Sequence, residues 1–121
     1  MRFMMILYDA PPSPSAEALA KAMEYNKSLQ KAGVLLAIHG LSDPSTAARI
    51  SYSDGKAMVT DGPYAEAKEV IAGYWIIQTR SREEAIEWAK RAPVGNNDII
   101  EVRQIFEMGN SPEDEEGSRR L

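Results

Sequence analysis

Hydrophobic residues along the chain fall into six short runs and two longer stretches with helical spacing. The runs predict strands over 2–8, 34–39, 47–52, 56–60, 71–79 and 98–106. The first longer stretch predicts a helix over 15–32, with an apolar stripe of Leu19, Ala22, Met23, Leu29 and Ala32. The second predicts a helix that begins at a capping box formed by Ser81 and Glu84 and ends before Pro93.

Turn-forming residues mark the boundaries of several elements. Ser13 followed by Pro14 predicts a helix N-cap with proline at the first helical position, and Gly33 predicts the end of that helix. Asp54 and Gly55 separate two of the runs and predict a β-hairpin, because both residue types tolerate a positive φ. The resulting order is β-α-β, a hairpin, and then β-α-β again.

This order predicts an α+β fold with a ferredoxin-like sheet and both helices on one face. Two helices cover only one face, yet the predicted strands are apolar on both: Met4, Ile6 and Tyr8 lie opposite Phe3 and Met5. A sheet face left to water alternates to polar residues, so something must cover this one. We expect a homodimer, in the form of a dimeric α+β barrel, whose facing sheets enclose a cavity.

Composition narrows the functions open to the chain. Its 121 residues fit one domain, which we place at 1–108, and we expect residues 109–121 to form a disordered acidic tail. The net charge of -4 and the lack of a basic stripe argue against nucleic-acid and membrane partners. No apolar run approaches the ~20 residues of a membrane span, and no signal-peptide pattern is visible. We expect a cytoplasmic protein.

The first candidates for chemistry are Asp61 and the charged residues that follow it. A carboxylate that ends a strand and faces a cavity can act as a general base, although Asp-Gly-Pro is also ordinary turn chemistry. Lys68 can bind an anionic substrate beside Glu66 in such a cavity. The alternative is a solvated loop whose ion pairs contribute only about 0–1 kcal/mol each.

Four further residues complete the candidate site. His39 is the one histidine, the residue type suited to proton transfer near neutral pH, so it is either a proton shuttle or a hydrogen-bonded core residue. Arg103 shares a strand face with Glu101, and it either binds an anion or forms an ion pair. Tyr64 and Tyr74 are candidates to line the cavity, so the ligand we expect is small and either anionic or aromatic.

Missing residue types and motifs exclude several kinds of site. The chain has no cysteine, and a single histidine rules out a metal site with several histidines. There is no Gly-rich phosphate loop, dinucleotide fingerprint or Gly-x-Ser-x-Gly elbow. We therefore expect no cofactor and no metal.

The run from Asp61 to Glu69, followed by Gly73 and Tyr74, resembles the hallmark motif of the DGPF family within the YCII-related superfamily. The segments 2–8, 31–35, 85–93 and 101–103 are similar to other parts of that family, so the resemblance covers about residues 2–107. The chain departs from the family pattern at Tyr64, Ala67 and Gln104.

The resemblance implies a ferredoxin-like dimer, but no assigned activity. In the broader YCII group a His/Asp pair is proposed as catalytic. His39 lies in a segment where relatives often carry other residues, so its role is not inherited from the family. The family's frequent linkage to extracytoplasmic-function sigma factors implies a regulatory setting by association.

The leading hypothesis is a cofactor-independent small-molecule enzyme of the isomerase or lyase type. Asp61 and His39 would transfer protons, while Lys68 and Arg103 would hold an anion or a polarised oxygen. The alternative is a non-catalytic ligand-binding or regulatory module linked to sigma-factor signalling. A third hypothesis is that the charged residues that follow Asp61 form only a structural network.

Overall fold

The computed structural model describes residues 1–10, 14–62 and 70–107. In this part of the chain the strands are β1 (Arg2–Tyr8), β2 (Leu35–Gly40), β3 (Ala48–Ser53), β4 (Lys56–Asp61), β5 (Ile71–Gln78) and β6 (Ile99–Gln104). The helices are α1 (Ala16–Lys31) and α2 (Arg82–Lys90), and a short 3-10 turn spans Pro44–Thr46. Three predicted site residues, Tyr64, Glu66 and Lys68, lie outside the described residues, as does the predicted acidic tail.

Four strands form one antiparallel sheet in the order β2-β5-β1-β6. The second βαβ unit thus places β5 between β1 and β2, which is the strand arrangement of a ferredoxin-like fold. The α+β class predicted from the element order is confirmed. Strands β3 and β4 form a separate two-stranded sheet, as the hairpin prediction requires.

The core lies between one face of the four-stranded sheet and the two helices. Phe3 and Met5 of β1 and Ile77 of β5 are almost fully buried there. The same buried cluster contains Leu29 of α1 and Ala85 of α2, so both helices cover the same face. This arrangement agrees with the expectation from the sequence, and no helix of the described residues lies on the opposite face of the sheet.

The beginning of α1 differs from the prediction. Its N-cap is Ser15, whose hydroxyl accepts the backbone N–H of Ala18 at 3.1 Å. Pro14 therefore precedes the cap instead of opening the helix, and Ser13 lies outside the described residues. Serine stands on both sides of Pro14, and the sequence pattern of an N-cap allows either one. Ser15 is the cap because its side chain reaches the backbone of the first turn.

The end of α1 follows the prediction closely. Gly33 adopts a φ of +74°, and its N–H donates to the carbonyl of Gln30 at 2.9 Å. The N–H of Val34 donates to the carbonyl of Leu29 at 3.1 Å, which completes a Schellman motif. Because Val34 and Leu29 are both buried, this cap also joins the helix end to the core.

The apolar stripe predicted for α1 is wrong in part. Leu19 and Met23 are 51% and 54% exposed, whereas Tyr25 is buried together with Leu29. The ring of Tyr25 meets the indole of Trp75 edge-on, with centroids 5.7 Å apart. Contact with the sheet therefore selects a neighbouring stripe of the helix, and local spacing does not distinguish the two.

The helix-free face of the sheet is apolar at its centre and half-buried in the single chain. Ile6 is only 9% exposed, and Met4, Tyr74 and Ile76 are partly exposed. The homodimer expected to cover this face remains a prediction.

Candidate functional site

Four residues form a row across the helix-free face, one from each strand of the sheet. His39 on β2 pairs with Tyr74 on β5, Tyr74 pairs with Ile6 on β1, and Ile6 pairs with Glu101 on β6. The next row along the strands contains Ala37, Ile76, Met4 and Arg103. His39 on β2 and the charged residues of β6 therefore lie on the two outer strands, and mainly apolar side chains lie between them.

His39 and Tyr74 are in direct contact at one end of the first row. A hydrogen bond of 3.1 Å joins the Tyr74 hydroxyl to Nδ1 of His39, and the two ring centroids are 5.5 Å apart. His39 is exposed, so the alternative interpretation of this histidine as a buried core residue is wrong. Since Nδ1 is engaged by the tyrosine, Nε2 is the nitrogen left to meet a bound molecule.

The backbone of β5 passes very close to the backbone that carries His39. A Cβ added at Gly73 would lie 2.8 Å from the His39 carbonyl oxygen and 3.2 Å from the Gly40 Cα. Only a glycine fits this approach without movement of one strand. Gly73 therefore fixes the separation between His39 and Tyr74, which are cross-strand partners one residue away.

A second polar group occupies the β6 end of the row. The Tyr8 hydroxyl donates to Oε1 of Glu101 at 3.0 Å, and Nη1 of Arg103 lies 3.9 Å from the same oxygen. The Arg103 side chain is 69% exposed. The pairing expected between Arg103 and Glu101 is thus present but long and solvated, which leaves the guanidinium available to an anion.

The two polar groups do not meet in one chain. His39 and Glu101 are separated by three strand-to-strand steps of the row, a distance of about 14 Å. The spacing is too long for a direct hydrogen bond or ion pair between the two groups within a single copy. The row therefore offers either two separate contacts or one site that needs a covering surface.

Asp61 lies apart from these groups, at the last position of β4 in the hairpin. Its backbone pairs with Ala48, and its carboxylate makes no hydrogen bond or ion pair with any other residue that the structure describes. Register places its side chain on the same hairpin face as Ile50 and Val59. Asp61 is thus not brought to His39 by contacts among the described residues.

Two other features bear on the kind of site, namely clusters of metal ligands and helices that could span a membrane. Within residues 1–10, 14–62 and 70–107, no three His, Asp or Glu side chains come together as metal ligands. Neither of the two described helices is long and apolar enough to cross a membrane.

A cavity on the helix side of the sheet was missed by the sequence reasoning. It measures about 770 Å³ and lies between the first turns of α1, the ends of the sheet strands and the loop after α2. Its lining is mainly apolar and includes Leu7, Ala18, Ala22, Leu41, Ile71 and Val94. Both its volume and its lining are in the range of small-molecule sites.

The origin of this cavity is visible in the sequence of α1. Ala18, Ala22, Tyr25 and Leu29 share one helix face, because they recur at helical spacing. The two large residues fill the space above the sheet at the end of the helix, whereas the alanines leave it open at the beginning. This change from small to large residues along one stripe is the pattern that could have predicted the cavity.

Two carboxylates stand at the cavity wall. Asp9 has a left-handed φ of 61°, and its Oδ1 accepts the N–H of Val70 at 3.0 Å. Asp98 accepts the N–H of Gly95 through Oδ2 at 2.8 Å. The described lining contains no Lys, Arg or His, so the cavity suits a neutral or cationic molecule better than an anion.

Comparisons with known proteins identify a family and name no activity. An uncharacterized protein of Rhizobium meliloti (strain 1021) is 37% identical over 60 residues, which are 50% of this chain and 48% of that protein. The aligned part thus spans about half the length of the curated relative. A family model described as the YCII-related domain matches residues 1–109. The chain belongs to the YCII-related domain family.

Proposed function

We propose that this protein binds a small molecule on the helix-free face of its sheet and transfers a proton there. The observation that carries the proposal is the hydrogen-bonded pair of His39 and Tyr74 on a face that is otherwise apolar at its centre. An exposed histidine with one nitrogen held by a neighbour is oriented for proton transfer at the other nitrogen. Membership of the DGPF branch of the family is part of this proposal, and the similarity of residues 61–69 to the DGPF motif supports it.

The chemistry assigned to His39 is general acid–base catalysis. In the tautomer whose Nδ1–H donates to the Tyr74 oxygen, Nε2 accepts a proton from a carbon next to a carbonyl. The imidazolium keeps its bond to Tyr74 and returns the proton to another atom of the enolate. No atom is gained or lost, so the reaction is an isomerisation and needs no cofactor.

A second copy of the chain would close the site. If the two sheets face each other about a two-fold axis parallel to the strands, β2 of one copy lies over β6 of the other. The row is then completed across the interface, since His39 faces Glu101 and Arg103 of the partner subunit. Arg103 would hold an anionic group of the substrate or a developing enolate oxygen.

Asp61 keeps the role of a second proton-transfer group in this proposal, and Lys68, Glu66 and Tyr64 keep the role of substrate contacts. His39 carries the proposal, because the hydrogen bond to Tyr74 orients its ring. A substrate with a carboxylate and a carbonyl on a small or aromatic framework fits the groups present. Each assignment is tested by its own substitution.

Proton exchange offers a test that does not need the substrate to be known. Small carbonyl compounds, such as 2-oxo acids and aryl ketones, are incubated with the protein in D2O, and loss of the C–H signal is followed by NMR. We expect exchange by the wild type to fall about 100-fold or more in His39→Gln. Tyr74→Phe and Asp61→Asn should give intermediate losses.

Arg103→Gln has a matched control in Arg82→Gln, which removes the same charge from an exposed helix position. Arg103→Gln should weaken binding of acids but not of neutral ketones, whereas Arg82→Gln should change neither. Equal rates for wild type and His39→Gln on every compound that exchanges would refute the assignment of His39.

The second candidate function is ligand binding without turnover, and the helix-side cavity favours it. That cavity contains Asp9 and Asp98 but no histidine among its described lining residues. It would hold an apolar molecule with a hydrogen-bond donor or a positive charge, in keeping with a sensing or regulatory role. Thermal-shift screening with aliphatic amines and with carboxylates of equal length distinguishes the two sites. Preference for amines, abolished by Asp9→Asn and unaffected by His39→Gln, would support this second function.

A further inference from the structure

The hairpin of β3 and β4 has one apolar face and one polar face. Register places the side chains of one face together, namely Ala48, Ile50, Tyr52, Ala57 and Val59, with Asp61 at the base. The other face carries Arg49, Ser51, Ser53, Lys56, Met58 and Thr60. No charged residue interrupts the apolar face between the base and the tip, so its natural neighbour is another apolar surface.

In the single chain this apolar face is uncovered. Ile50, Val59 and Tyr52 are 52%, 67% and 77% exposed, and every residue of both strands is exposed. The two strands form a sheet of their own, separate from the four-stranded sheet. With six residues in each strand, the hairpin reaches about 20 Å from its base.

An isolated two-stranded hairpin is only marginally stable in water. Its turn is well formed, since Asp54 and Gly55 both adopt positive φ values of 52° and 76°. A turn alone does not explain an alternating strand pattern with large apolar residues on one side. The pattern indicates a hairpin that is stabilised by packing against another apolar surface.

We propose that the hairpin is an arm that packs its apolar face against the beginning of β6 in a second copy of this chain. This inference rests on the dimer of the proposed function. With a two-fold axis parallel to the strands, β2 lies over β6 of the partner, and the arm leaves the sheet just beyond Gly40 at the end of β2.

The receiving position at that end of β6 is an exposed isoleucine. Ile99 opens the strand, pairs with Tyr8 and is 44% exposed. In a symmetric dimer each copy gives one arm and receives one, so two uncovered apolar surfaces are satisfied by one contact made twice. The contact would bury the exposed side chains of Ile50, Tyr52 and Val59 in addition to the facing sheets.

Sedimentation equilibrium of the wild type and of variants measures the dissociation constant of the dimer and tests the arm. Ile50→Thr shortens the apolar face without loss of strand propensity, and Met58→Thr is its matched control on the opposite face, where Met58 is 59% exposed. We expect Ile50→Thr to raise the dissociation constant at least about tenfold, because two side chains are affected per dimer. Met58→Thr should change it less than about twofold.

Ile99→Thr tests the receiving surface. It should weaken the dimer as Ile50→Thr does, and the double variant should lose less than the two single losses combined, since both remove the same contact. Hydrogen exchange of the hairpin amides should be slow in the dimer and fast after dilution to monomer. Far-UV circular dichroism of each variant checks that the sheet and helices are retained.

The outcomes separate this inference from the proposed function. A wild-type dimer whose dissociation constant responds equally to Ile50→Thr and Met58→Thr would overturn the arm but leave the facing sheets in place. Additive losses in the double variant would overturn β6 as the receiving surface. A wild-type protein that is monomeric at micromolar concentration would overturn both the arm and the covered site.

Discussion

Replacement of Tyr25 by phenylalanine tests how the helices are held on the sheet. Tyr25 is 6% exposed, and its hydroxyl donates to the carbonyl of Trp88 in α2 at 2.6 Å. The substitution keeps the edge-on contact with Trp75 but removes the hydrogen bond between the two helices. The Trp88 carbonyl still accepts the N–H of Arg91 at 3.1 Å, so it is not left without a donor. We therefore expect a loss near the lower limit for a buried hydrogen bond, about 1 kcal/mol in the free energy of unfolding.

The same hydroxyl makes stability depend on alkaline pH. Burial raises the pKa of Tyr25 from 10.0 to about 12, and the positive charge of Arg91 offsets part of that rise. The folded state therefore keeps the phenol protonated in a range where the unfolded chain releases the proton. The stabilisation is complete below pH 10.0 and is lost as the pH rises through about 12. The rise corresponds to about 1–2 kcal/mol once partial solvation of the hydroxyl is considered.

Urea unfolding of the wild type and of Tyr25→Phe at a series of pH values measures both effects. The wild type should be the more stable protein near neutrality, and its advantage should shrink or reverse between pH 10.0 and 12. Other groups that titrate in this range are common to both proteins and cancel in the difference. A difference that stays constant up to pH 12 would show that Tyr25 ionises equally well in the folded and unfolded states, and the burial argument would then fail.

Two further substitutions have matched controls within the chain. Gly73→Ala should destabilise the protein by about 1–3 kcal/mol in urea unfolding and disturb His39, because the new Cβ would lie 2.8 Å from the His39 carbonyl oxygen. Its control is Gly40→Ala, whose Cβ would meet nothing within 4 Å, so this variant should have nearly the stability of the wild type. Leu29→Ala should lower the free energy of unfolding by about 3 kcal/mol, since Leu29 is 0% exposed. Leu19→Ala is the control and should lower it by less than about 1 kcal/mol, since Leu19 is 51% exposed. Equal losses of stability in the two variants would contradict the orientation of α1.

Local sequence patterns were sufficient to predict the elements and their order. The Asp54-Gly55 turn, the Gly33 helix end and the Ser81 cap all depend on residues within a few positions of one another, and all are present. In the second cap the Ser81 hydroxyl accepts the N–H of Glu84, as the capping box requires, while the Glu84 carboxylate reaches the N–H of Arg80. Short-range hydrogen bonds are specified by residue type and are therefore visible in the sequence.

The orientation of α1 depends on the sheet beneath it and was not predictable from spacing alone. Two stripes at helical spacing overlap on this helix, one with Leu19 and Met23 and another with Tyr25 and Leu29. The second is buried, because Tyr25 meets Trp75 and bonds to α2. The cavity beside Ala18 has the same origin, since its existence follows from which stripe faces the sheet.

Exposure of His39 follows from strand order, which no local pattern records. β2 is an outer strand of the sheet, and its pairing with β5 shifts register between Leu35 and Ala37. An apolar strand with one histidine suggests a buried residue, but an outer strand with an irregular register opens its side chains to water, and Leu36 is 50% exposed as a result. The sequence could identify His39 as a titratable group, but its accessibility depends on the tertiary arrangement.

The two uncovered apolar surfaces of this chain argue for one common explanation. The helix-free face carries His39 and Arg103 on the two outer strands, whose axes are about 14 Å apart, and the hairpin carries Ile50 and Tyr52, which are 52% and 77% exposed. One two-fold axis parallel to the strands would bring the polar groups of the two copies together and place each hairpin beside β6 of the other. Since a single operation accounts for both, a dimer that forms without the arms, or arms that pack without the facing sheets, would separate the site from the hairpin and require a different covering for each.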